Sequence, residues 1–391
     1  MTSRKVSSPA DRRDWLAHPK RVVVKVGSGV LARGGMGLHR PTISALAAAL
    51  ASLRGRGIEV VLVSSGAILA GMEALELTER PRDLPLKQAA AAVGQGHLMQ
   101  AYEEAFQCCG MRVAQILLTR EDLRHRGRYL NARNTLFTLL RLMVVPIVNE
   151  NDTVAVQEIQ FGDNDTLSAL VANLSEADLL VILTDTDGLF TADPRQETSA
   201  RLIPIVRPQD AVTSFCAEDV GSAASVGGMS SKVQAARRAA IAGIPTVVAS
   251  GLKEGVLDSI LRGMDEGTFF VPSRGRMQSR KRWLAFASQP RGGIVVDAGA
   301  REALVSGGKS LLPSGIRETR RSFRAGDVIS LIDPSGREFA RGLVNYGRDE
   351  VERIKGLKST EIAAALGHKP YDEVVHRDNL VILRGPDATM D

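Results

Sequence analysis

The sequence predicts an α/β protein, in which a three-layer sandwich around a mostly parallel sheet precedes a small β-rich domain. From residue 21 to about residue 270, short runs rich in Val, Ile and Leu alternate with longer stretches rich in Ala, Leu, Gln and Arg, as strands alternate with helices. The short runs are apolar almost throughout, which is typical of strands buried on both faces of a parallel sheet. After residue 270 the pattern changes to short strands and turns, which indicates a separate domain.

Six short apolar runs before residue 270 are predicted to be strands, because they are rich in β-branched residues. They are 22–27, 58–64, 111–118, 143–149, 178–184 and 244–249. Longer stretches between them contain strong helix formers and are predicted to be helices. They include 41–54, 87–107, 129–141, 164–174 and 230–242, and Pro41 stands where a helix can begin.

The C-terminal part begins with a polar, basic connector, "PSRGRMQSRKRW". Three β-rich runs follow it at 294–297, 327–332 and 338–345, and the turn sequence "DPSG" between the last two predicts a hairpin. We therefore predict five segments. They are a polar tail (1–20), a first domain (21–272), a basic linker (273–287), a second domain (288–385) and a tail (386–391).

The composition is that of an ordinary globular protein, with 44% hydrophobic and 24% charged residues in a chain of 391. No apolar run approaches the roughly 20 residues that a membrane helix needs. The N-terminus has no apolar stretch suited to a secretory signal, so we expect a cytoplasmic protein. Three cysteines and six scattered histidines predict neither a disulfide framework nor a zinc site.

The net charge of +6 is concentrated in one segment of the chain. Residues 271–324 contain 12 Lys and Arg against 3 Asp and Glu, whereas the rest of the chain is mildly acidic. Such a segment is either a solvated linker or a surface that attracts polyanions. The charge by itself favours the linker.

Lys25 is an unusual residue for a buried strand, because it stands among the valines of "RVVVKVGSGV". Removing an ammonium group from water costs several kcal/mol unless another group compensates. The side chain could leave the sheet at an edge, as long amphipathic side chains do. Alternatively, Lys25 is held in place to bind an anion.

Small or polar residues follow four of the predicted strands, where an open α/β sheet binds its ligands. They are Gly27, Ser28 and Gly29 after the first strand, Ser64 to Ala67 after the second, "NEND" (149–152) after the fourth and "TDTDG" (184–188) after the fifth. The glycines allow backbone N–H groups to approach a ligand closely.

The glycines after Lys25 do not form a standard nucleotide-binding motif. A Walker P-loop places its glycines before the lysine, and a dinucleotide fingerprint needs a third glycine where Ala32 stands. "DTDG" begins like a calcium loop, but Gln196 occupies the position of the final glutamate. Any nucleotide site here therefore belongs to another class.

The stretch "FGDNDTLSALVANL" places Asp163, Asn164 and Asp165 at the start of a predicted helix. Asp and Asn are preferred helix caps, but one cap needs one such residue. Three in succession suggest a further role.

The stretch "SVGGMSSKVQAARRAA" sets two glycines and two serines before a helix, with Lys232 in its first turns. A flexible loop with a surface lysine is one interpretation. The other is a glycine-rich loop that binds an anion at a helix N-terminus.

Two lysines, an acidic cluster and glycine-rich turns are together the groups that phosphoryl transfer requires. Its transition state spreads negative charge over oxygens, so catalysis depends on positioning and electrostatic stabilisation. A lysine 4 Å from a phosphate oxygen gains about 4 kcal/mol at an effective dielectric constant of 20. That gain offsets the cost of burying Lys25.

The ordered set of motifs resembles the glutamate 5-kinases of the amino-acid kinase superfamily. The motifs are "VKVGSGVL", "VSSGAILAG", "AAVGQGHLM", "LLTREDL", "YLNARNTL", "PIVNENDTVA", "FGDNDTLSA", "LLTDTDGLFTADPR" and "GGMSSKVQAA". Their order is far more specific than any single motif. "KRWLAF" and the residues after it are similar to the C-terminal PUA domain of many members. The resemblance covers nearly the whole chain and implies the amino-acid kinase fold.

The resemblance implies ATP-dependent phosphorylation of the L-glutamate side-chain carboxylate, the first step of proline biosynthesis. Lys25 and Lys232 would contact the transferred phosphoryl group, and Asp163 would hold them in register. Glutamate would be bound by Ser65, Asp152 and Asn164, with Asn149 nearby.

The resemblance also implies an ATP site. Besides Lys25, it would contain Thr184, Asp185, Val226, Gly227, Gly228, Met229, Ser230, Ser231 and Lys232. Mg²⁺ would be carried by the ATP phosphates rather than by a protein metal site. Val226 departs from the family, in which this glycine loop often begins with Thr. The resemblance further implies feedback inhibition by proline and a homo-oligomer, either a dimer or a tetramer.

Three other functions are less consistent with the sequence. An acetylglutamate or aspartate kinase would not be expected to combine "YLNARNTL", "NENDTV" and a PUA-like domain. An RNA-binding protein is suggested by the basic segment and the PUA-like domain, but aromatic residues make up only 4% of the chain, which leaves few stacking platforms for bases. A nicotinamide dehydrogenase lacks its glycine fingerprint.

Overall fold

The computed structural model describes residues 10–16, 18–155, 164–208, 210, 228–273, 284 and 289–383. The chain divides into two compact units, Met1–Arg276 and Met277–Asp391. The segment boundaries expected from the sequence remain predictions. Within the described residues, no helix is long and apolar enough to cross a membrane.

An eight-stranded sheet forms the centre of the first unit and confirms the predicted parallel architecture. Its strands are β1 (Arg21–Val26), β2 (Glu59–Ser64), β3 (Arg112–Leu118), β4 (Val144–Glu150), β5 (Leu179–Thr184), β6 (Ile205–Val206), β7 (Thr246–Ser250) and β8 (Thr268–Phe270). They lie in the order β3-β4-β2-β1-β5-β7-β8-β6, and all neighbours run parallel except β7 and β8. Two strands at one edge, β6 and β8, were not predicted because they are only two and three residues long.

Ten helices of the first unit lie within the described residues. They are α1 (Ala10–Leu16), α2 (Ser28–Ala32), α3 (Arg40–Gly55), α4 (Ala67–Ala74), α5 (Leu84–Gln107), α6 (Arg120–Arg124), α7 (Arg126–Arg141), α8 (Asn164–Leu174), α9 (Met229–Ile241) and α10 (Val256–Leu261). The five predicted helices are confirmed as α3, α5, α7, α8 and α9. Pro41 lies in the first turn of α3, and His39 caps that helix by accepting a hydrogen bond from the Thr42 N–H.

Alternation along β1 separates the two faces of the sheet. Val22, Val24 and Val26 belong to one hydrophobic cluster with residues of α3, α5 and α10. Successive side chains of a strand point to opposite faces, so Lys25 belongs to the other face, which α8 covers. The helices on the two faces complete the predicted three layers.

Two glycines bring the backbones of α4 and α5 into direct contact. A Cβ atom on Gly71 would lie 1.8 Å from the carbonyl oxygen of Ala90, and one on Gly94 would lie 1.9 Å from that of Ala67. Both distances are far below any real contact, so only glycine fits at either position. The close approach holds α5 next to the residues that follow β2.

A five-stranded sheet and three α-helices form the second unit within its described residues. The strands are β9 (Gly292–Val296), β10 (Ile316–Arg320), β11 (Val328–Ile332), β12 (Glu338–Leu343) and β13 (Leu380–Ile382), and the helices are α11 (Ala298–Val305), α12 (Arg348–Ile354) and α13 (Ile362–Leu366). The sheet order is β10-β9-β11-β12-β13. The predicted strands are confirmed as β9, β11 and β12. The predicted hairpin is also present, and its turn is fixed by Asp333, which accepts hydrogen bonds from the N–H groups of Ser335 and Arg337 at 3.0 Å each.

Candidate active site

Three elements of the first unit bring two lysines to one buried carboxylate. Lys25 lies on β1, Asp165 in the first turn of α8 and Lys232 in the first turn of α9. Lys25 Nζ pairs with Asp165 Oδ1, and Lys232 Nζ lies 3.3 Å from Asp165 Oδ2. The side chains of Lys25, Asp165 and Lys232 are 5%, 1% and 9% exposed. We call these three residues the lysine triad.

The two lysines of the lysine triad keep Asp165 ionised. Burial alone would raise the pKa of Asp165, but the two ammonium groups and a hydrogen bond from Ser231 hold it below its usual value. Asp165 is therefore ionised at neutral pH, and the triad carries one net positive charge. This charge lies in a buried environment, where an anion interacts with it more strongly than in water.

The lysine triad explains why a lysine stands among the valines of β1. Its side chain does not leave the sheet at an edge, because β1 lies between β2 and β5 and the ammonium group pairs with Asp165. Asp163, predicted to hold the lysines in register, lies outside the described residues. The sequence placed Asp165 in the same acidic cluster without giving it a role of its own, and it contacts both lysines.

The glycine turn after β1 lies next to the end of β5. Gly27 N–H donates a hydrogen bond to the Leu183 carbonyl at 3.2 Å. A Cβ atom on Gly29 would lie 3.2 Å from Asp185 Oδ2, so a side chain there would crowd that carboxylate. Thr184 is buried, and its hydroxyl donates to Asp185 Oδ1 at 3.1 Å. The glycine turn after Lys25 thus lies beside Thr184 and Asp185, two of the residues predicted to contact ATP.

The glycine-rich loop leads directly into α9. Gly228 is the N-cap of the helix, without a side-chain cap, and Met229, Ser230 and Ser231 form its first turn together with Lys232. Ser231 Oγ donates to Asp165 Oδ2 at 2.8 Å, so this loop is tied to the lysine triad. The first N–H groups of a helix are not used within it and can bind an anion. Val226 and Gly227 lie outside the described residues.

Three of the four residues predicted to bind glutamate, Ser65, Asn149 and Asn164, lie close together. Asn164 Nδ2 lies 3.1 Å from Ser65 Oγ and 3.2 Å from Asn149 Oδ1. Asn149 Nδ2 in turn donates to Gln95 Oε1, on α5, at 2.8 Å. We call Gln95, Asn149 and Asn164 the amide chain. Gln95 was not predicted, although it is the glutamine of the motif "AAVGQGHLM" and stands between Gly94 and Gly96.

Ser65 is held in place by its neighbours. The following residue, Gly66, has a φ of 106°, a conformation that favours glycine. Ser64 Oγ lies 2.8 Å from the hydroxyl of Tyr102, which is fully buried on α5. The turn after β2 is thus fixed by α5 on one side and by Asn164 on the other.

Asp152 follows β4 in the turn that begins at Asn151. Burial raises the pKa of its carboxyl to about 6. A cavity of about 520 Å³ opens beside this turn, and the lysine triad does not belong to its lining. It is lined by Thr119, Arg120, Glu121, Asp122, Arg128, Glu150, Asn151, Val154 and Ala155.

The described residues contain no group of three or more His, Cys, Asp or Glu side chains that could hold a metal ion. Within the lysine triad, both oxygens of Asp165 already contact ammonium groups. This donor set suits an anionic ligand, which can bring its own cation.

Known proteins match both units. The amino acid kinase family matches residues 20–250, and the PUA domain matches residues 292–366. A glutamate 5-kinase from Geobacter sulfurreducens is 51% identical over 372 residues, which cover 95% of this chain and 100% of that protein. A glutamate 5-kinase from Moorella thermoacetica is 52% identical over 368 residues, covering 94% of this chain and 97% of that protein.

A third similar protein, a glutamate 5-kinase from Burkholderia multivorans, is 51% identical over 371 residues, or 95% of this chain and 100% of that protein. Among solved structures, a UMP kinase from Bacillus anthracis has a TM-score of 0.45 and 19% identity, covering 65% of this chain and 96% of that chain. The latter similarity is too weak to assign a function.

Proposed function

This chain belongs to the amino acid kinase family and, within it, to the glutamate 5-kinases, and we propose that it transfers the γ-phosphoryl group of ATP to the side-chain carboxylate of L-glutamate. The product is L-glutamyl 5-phosphate, and the reaction is the first step of proline biosynthesis. The observation that carries the proposal is the lysine triad, a buried positive site at the carboxyl ends of the strands.

The reaction is a direct in-line displacement. An oxygen of the glutamate side-chain carboxylate attacks the γ-phosphorus of ATP and forms the new O–P bond. The bond between the γ-phosphorus and the β–γ bridging oxygen breaks, and ADP leaves with that electron pair. No general base is needed, because the attacking carboxylate is already an anion.

Lys25 and Lys232 stabilise the charge that spreads over the phosphoryl oxygens in the transition state. Fixed cations in a buried site are effective for this purpose, since they need no reorganisation when the charge develops. Asp165 holds the two ammonium groups at a set separation and keeps them from repelling each other. The role expected for Asp163 remains a prediction.

Glutamate binds at the amide chain and the turn after β2. Ser65, Asn149 and Asn164 supply hydroxyl and amide groups, and Asp152 supplies a carboxylate that attracts the α-ammonium group when it is ionised. Asn164 precedes Asp165 directly in the chain, so the substrate site is continuous with the lysine triad.

ATP binds along the glycine turn after β1, the end of β5 and the start of α9. Thr184 and Asp185 contact the nucleotide, and the N–H groups of Gly228, Met229, Ser230 and Ser231, with Lys25 and Lys232, face its phosphates. Val226 and Gly227 are assigned to the same loop, where backbone N–H groups replace the hydroxyl contact that threonine would make. Mg²⁺, carried by the phosphates, neutralises part of their charge.

The test of this function is an assay with glutamate, MgATP and hydroxylamine, which traps an acyl phosphate as its hydroxamate. We expect hydroxamate from glutamate that depends on ATP. Product from aspartate or acetylglutamate, with none from glutamate, would replace the substrate assignment with one of the related kinases.

We also propose three properties beyond catalysis, namely inhibition by proline, assembly into a homo-oligomer (a dimer or a tetramer) and a cytoplasmic location. Inhibition is measured by adding proline to the hydroxamate assay, and assembly by light scattering. RNA binding by the PUA domain is a second candidate function, supported by the basic segment at 271–324. A gel-shift titration at several salt concentrations tests it, because binding through phosphates weakens steeply as salt increases.

A further inference from the structure

Gln95 has no role in the reaction described so far, although it ends the amide chain. Its Oε1 accepts from Asn149 Nδ2 at 2.8 Å. Its own Nε2 is buried and has no hydrogen-bond partner among the described residues. A buried donor without a partner is unfavourable, so a ligand that supplies the missing acceptor would bind here with a clear gain.

Backbone groups determine which way each amide of the chain points. The N–H of Glu150 donates to Asn149 Oδ1 at 2.9 Å, which requires Asn149 Nδ2 to face Gln95. At the other end, Asn164 Nδ2 faces the carbonyl oxygen of Ser64 at 3.3 Å. Backbone N–H groups only donate and carbonyls only accept, so neither asparagine can be turned around.

The fixed orientation gives the amide chain two different ends. At one end, Gln95 Nε2 is an unpaired donor. At the other end, Asn164 Oδ1 is buried and is an unpaired acceptor within the described part of the chain. A carboxylate, whose oxygens only accept, pairs with the free donor of Gln95. The α-carboxylate of an amino acid is such a group.

We propose that Gln95 binds the α-carboxylate of the amino-acid substrate and selects against substrates in which this group is neutral. The inference rests on the proposed function, because it takes glutamate to be the substrate. The side-chain carboxylate of glutamate lies at the lysine triad, next to Asn164, and the α-carboxylate lies at the Gln95 end of the amide chain.

The position of Gln95 is set by its helix. Its neighbour Gly94 contacts the backbone of α4, and Tyr102, about two turns further along α5, lies 2.8 Å from Ser64 Oγ. Both contacts join α5 to the residues around the turn after β2. Gln95 is therefore fixed relative to Ser65 and the substrate.

The experiment compares two substrates in the hydroxamate assay. L-glutamate carries an α-carboxylate, whereas L-isoglutamine keeps the side-chain carboxylate but has a neutral carboxamide in its place. The variant Gln95→Glu still accepts from Asn149 but replaces the free donor with a negative oxygen. We expect the KM for glutamate to rise about 10- to 100-fold, while the KM for isoglutamine changes little or falls, because its amide can donate to the new carboxylate.

The matched control is Gln100→Glu, which makes the same change on the exposed face of α5, where Gln100 bonds only to Glu104 among the described residues. It should leave both KM values unchanged. Gln95→Met removes the donor without adding charge and should also reduce the preference for glutamate, so it serves if Gln95→Glu fails to fold in a thermal unfolding scan.

A wild-type ratio of the two KM values in either Gln95 variant, or an equal rise for both substrates, would overturn the inference and leave Gln95 a structural residue. A failure of the proposed function looks different. In that case the wild-type enzyme itself makes no hydroxamate from glutamate.

Discussion

The ion pairs of the active site and those on the surface of the second unit use the same chemical groups in opposite environments. Lys25 and Asp165 are 5% and 1% exposed, whereas Arg317 and Asp297 are 70% and 26% exposed. Exposed pairs contribute little to stability because water and salt screen them. Buried pairs are costly to form and harmful to break. The comparison suggests that a buried pair persists in this chain where the reaction requires it.

Asp152 is a third case that sharpens the comparison. It is less buried than Asp165, but burial raises its pKa to about 6, whereas the two lysines hold the pKa of Asp165 below its usual value. The pKa values of these two carboxyl groups are therefore shifted in opposite directions. The cause is the presence or absence of neighbouring ammonium groups.

The largest effect is expected from Asp165→Asn, which leaves two buried ammonium groups without their carboxylate. We expect the free energy of unfolding at pH 7 to fall by about 3–5 kcal/mol, measured by urea denaturation. Because the pKa of Asp165 is lowered in the folded state, its stabilisation is present above the ordinary Asp pKa of about 3.9 and is lost at lower pH. The difference from wild type should narrow as the pH falls below about 4.

The control for this prediction is Asp258→Asn, which removes the partner of two exposed arginines, Arg56 and Arg262, and should cost less than about 1 kcal/mol. If Asp165→Asn lowers the free energy of unfolding no more than Asp258→Asn does, buried and exposed ion pairs contribute equally to stability and the prediction is wrong.

Replacing either lysine of the triad should affect the rate more than the binding of glutamate. We expect Lys25→Ala and Lys232→Ala each to lower kcat by about 10²- to 10³-fold with little change in the KM for glutamate, because the lysines act on charge that develops in the transition state. Lys253→Ala, in the exposed pair with Glu266, is the control. A raised KM with an unchanged kcat would make the lysines ground-state binders.

We expect glutamate to bind more weakly at pH 5 than at pH 7, because Asp152 becomes protonated. With a pKa of about 6, it loses most of its charge at pH 5, and the KM for glutamate should rise about tenfold. Asp152→Asn should abolish this dependence. The free energy of unfolding should change favourably over the same range. Because the pKa of Asp152 is raised in the folded state, the folded protein binds the proton more tightly than the unfolded chain. The contribution of Asp152 to stability therefore increases as the pH falls from 7 to 5.

The smallest effect is expected on the surface of the second unit. Arg317→Gln should change the free energy of unfolding by less than about 0.5 kcal/mol. Asp297→Ala should cost about 1 kcal/mol, because Asp297 also caps α11 by accepting from the Ala300 N–H. Thermal unfolding of the two variants side by side separates the cap from the ion pair. Equal losses of stability in the two variants would contradict the prediction, because the exposed ion pair would then contribute as much as the helix cap.

The fold followed from the sequence because the strands of the first sheet are buried on both faces. Runs such as 178–184 are apolar at nearly every position, and this pattern depends only on composition and length. The strands that escaped prediction, such as β6 and β8, are too short for any period to be read. Their pairing comes from tertiary contacts with neighbouring strands.

The two lysines of the site could be predicted from the sequence, whereas the roles of Asp165 and Gln95 could not. Lys25 stands out because a charge among valines needs compensation, and Lys232 because it follows a glycine-rich loop. Asp165 could not be chosen from "GDND", since the rotation of α8 decides which of these side chains faces β1. Gln95 was missed for a similar reason. Its motif does not show which way its side chain points, and only the position of α5 shows that it contacts Asn149.

The contact of α4 with α5 through Gly71 and Gly94 has a consequence for how this part of the molecule opens. A helix of eight residues such as α4 frays readily by itself. Here its backbone contacts that of a 24-residue helix directly at Gly71 and Gly94. The amide protons of α4 should therefore exchange with solvent about as slowly as those in the middle of α5, as one cooperative unit. That unit bears Gln95 and Tyr102, so one opening event would release several of the groups around the substrate together.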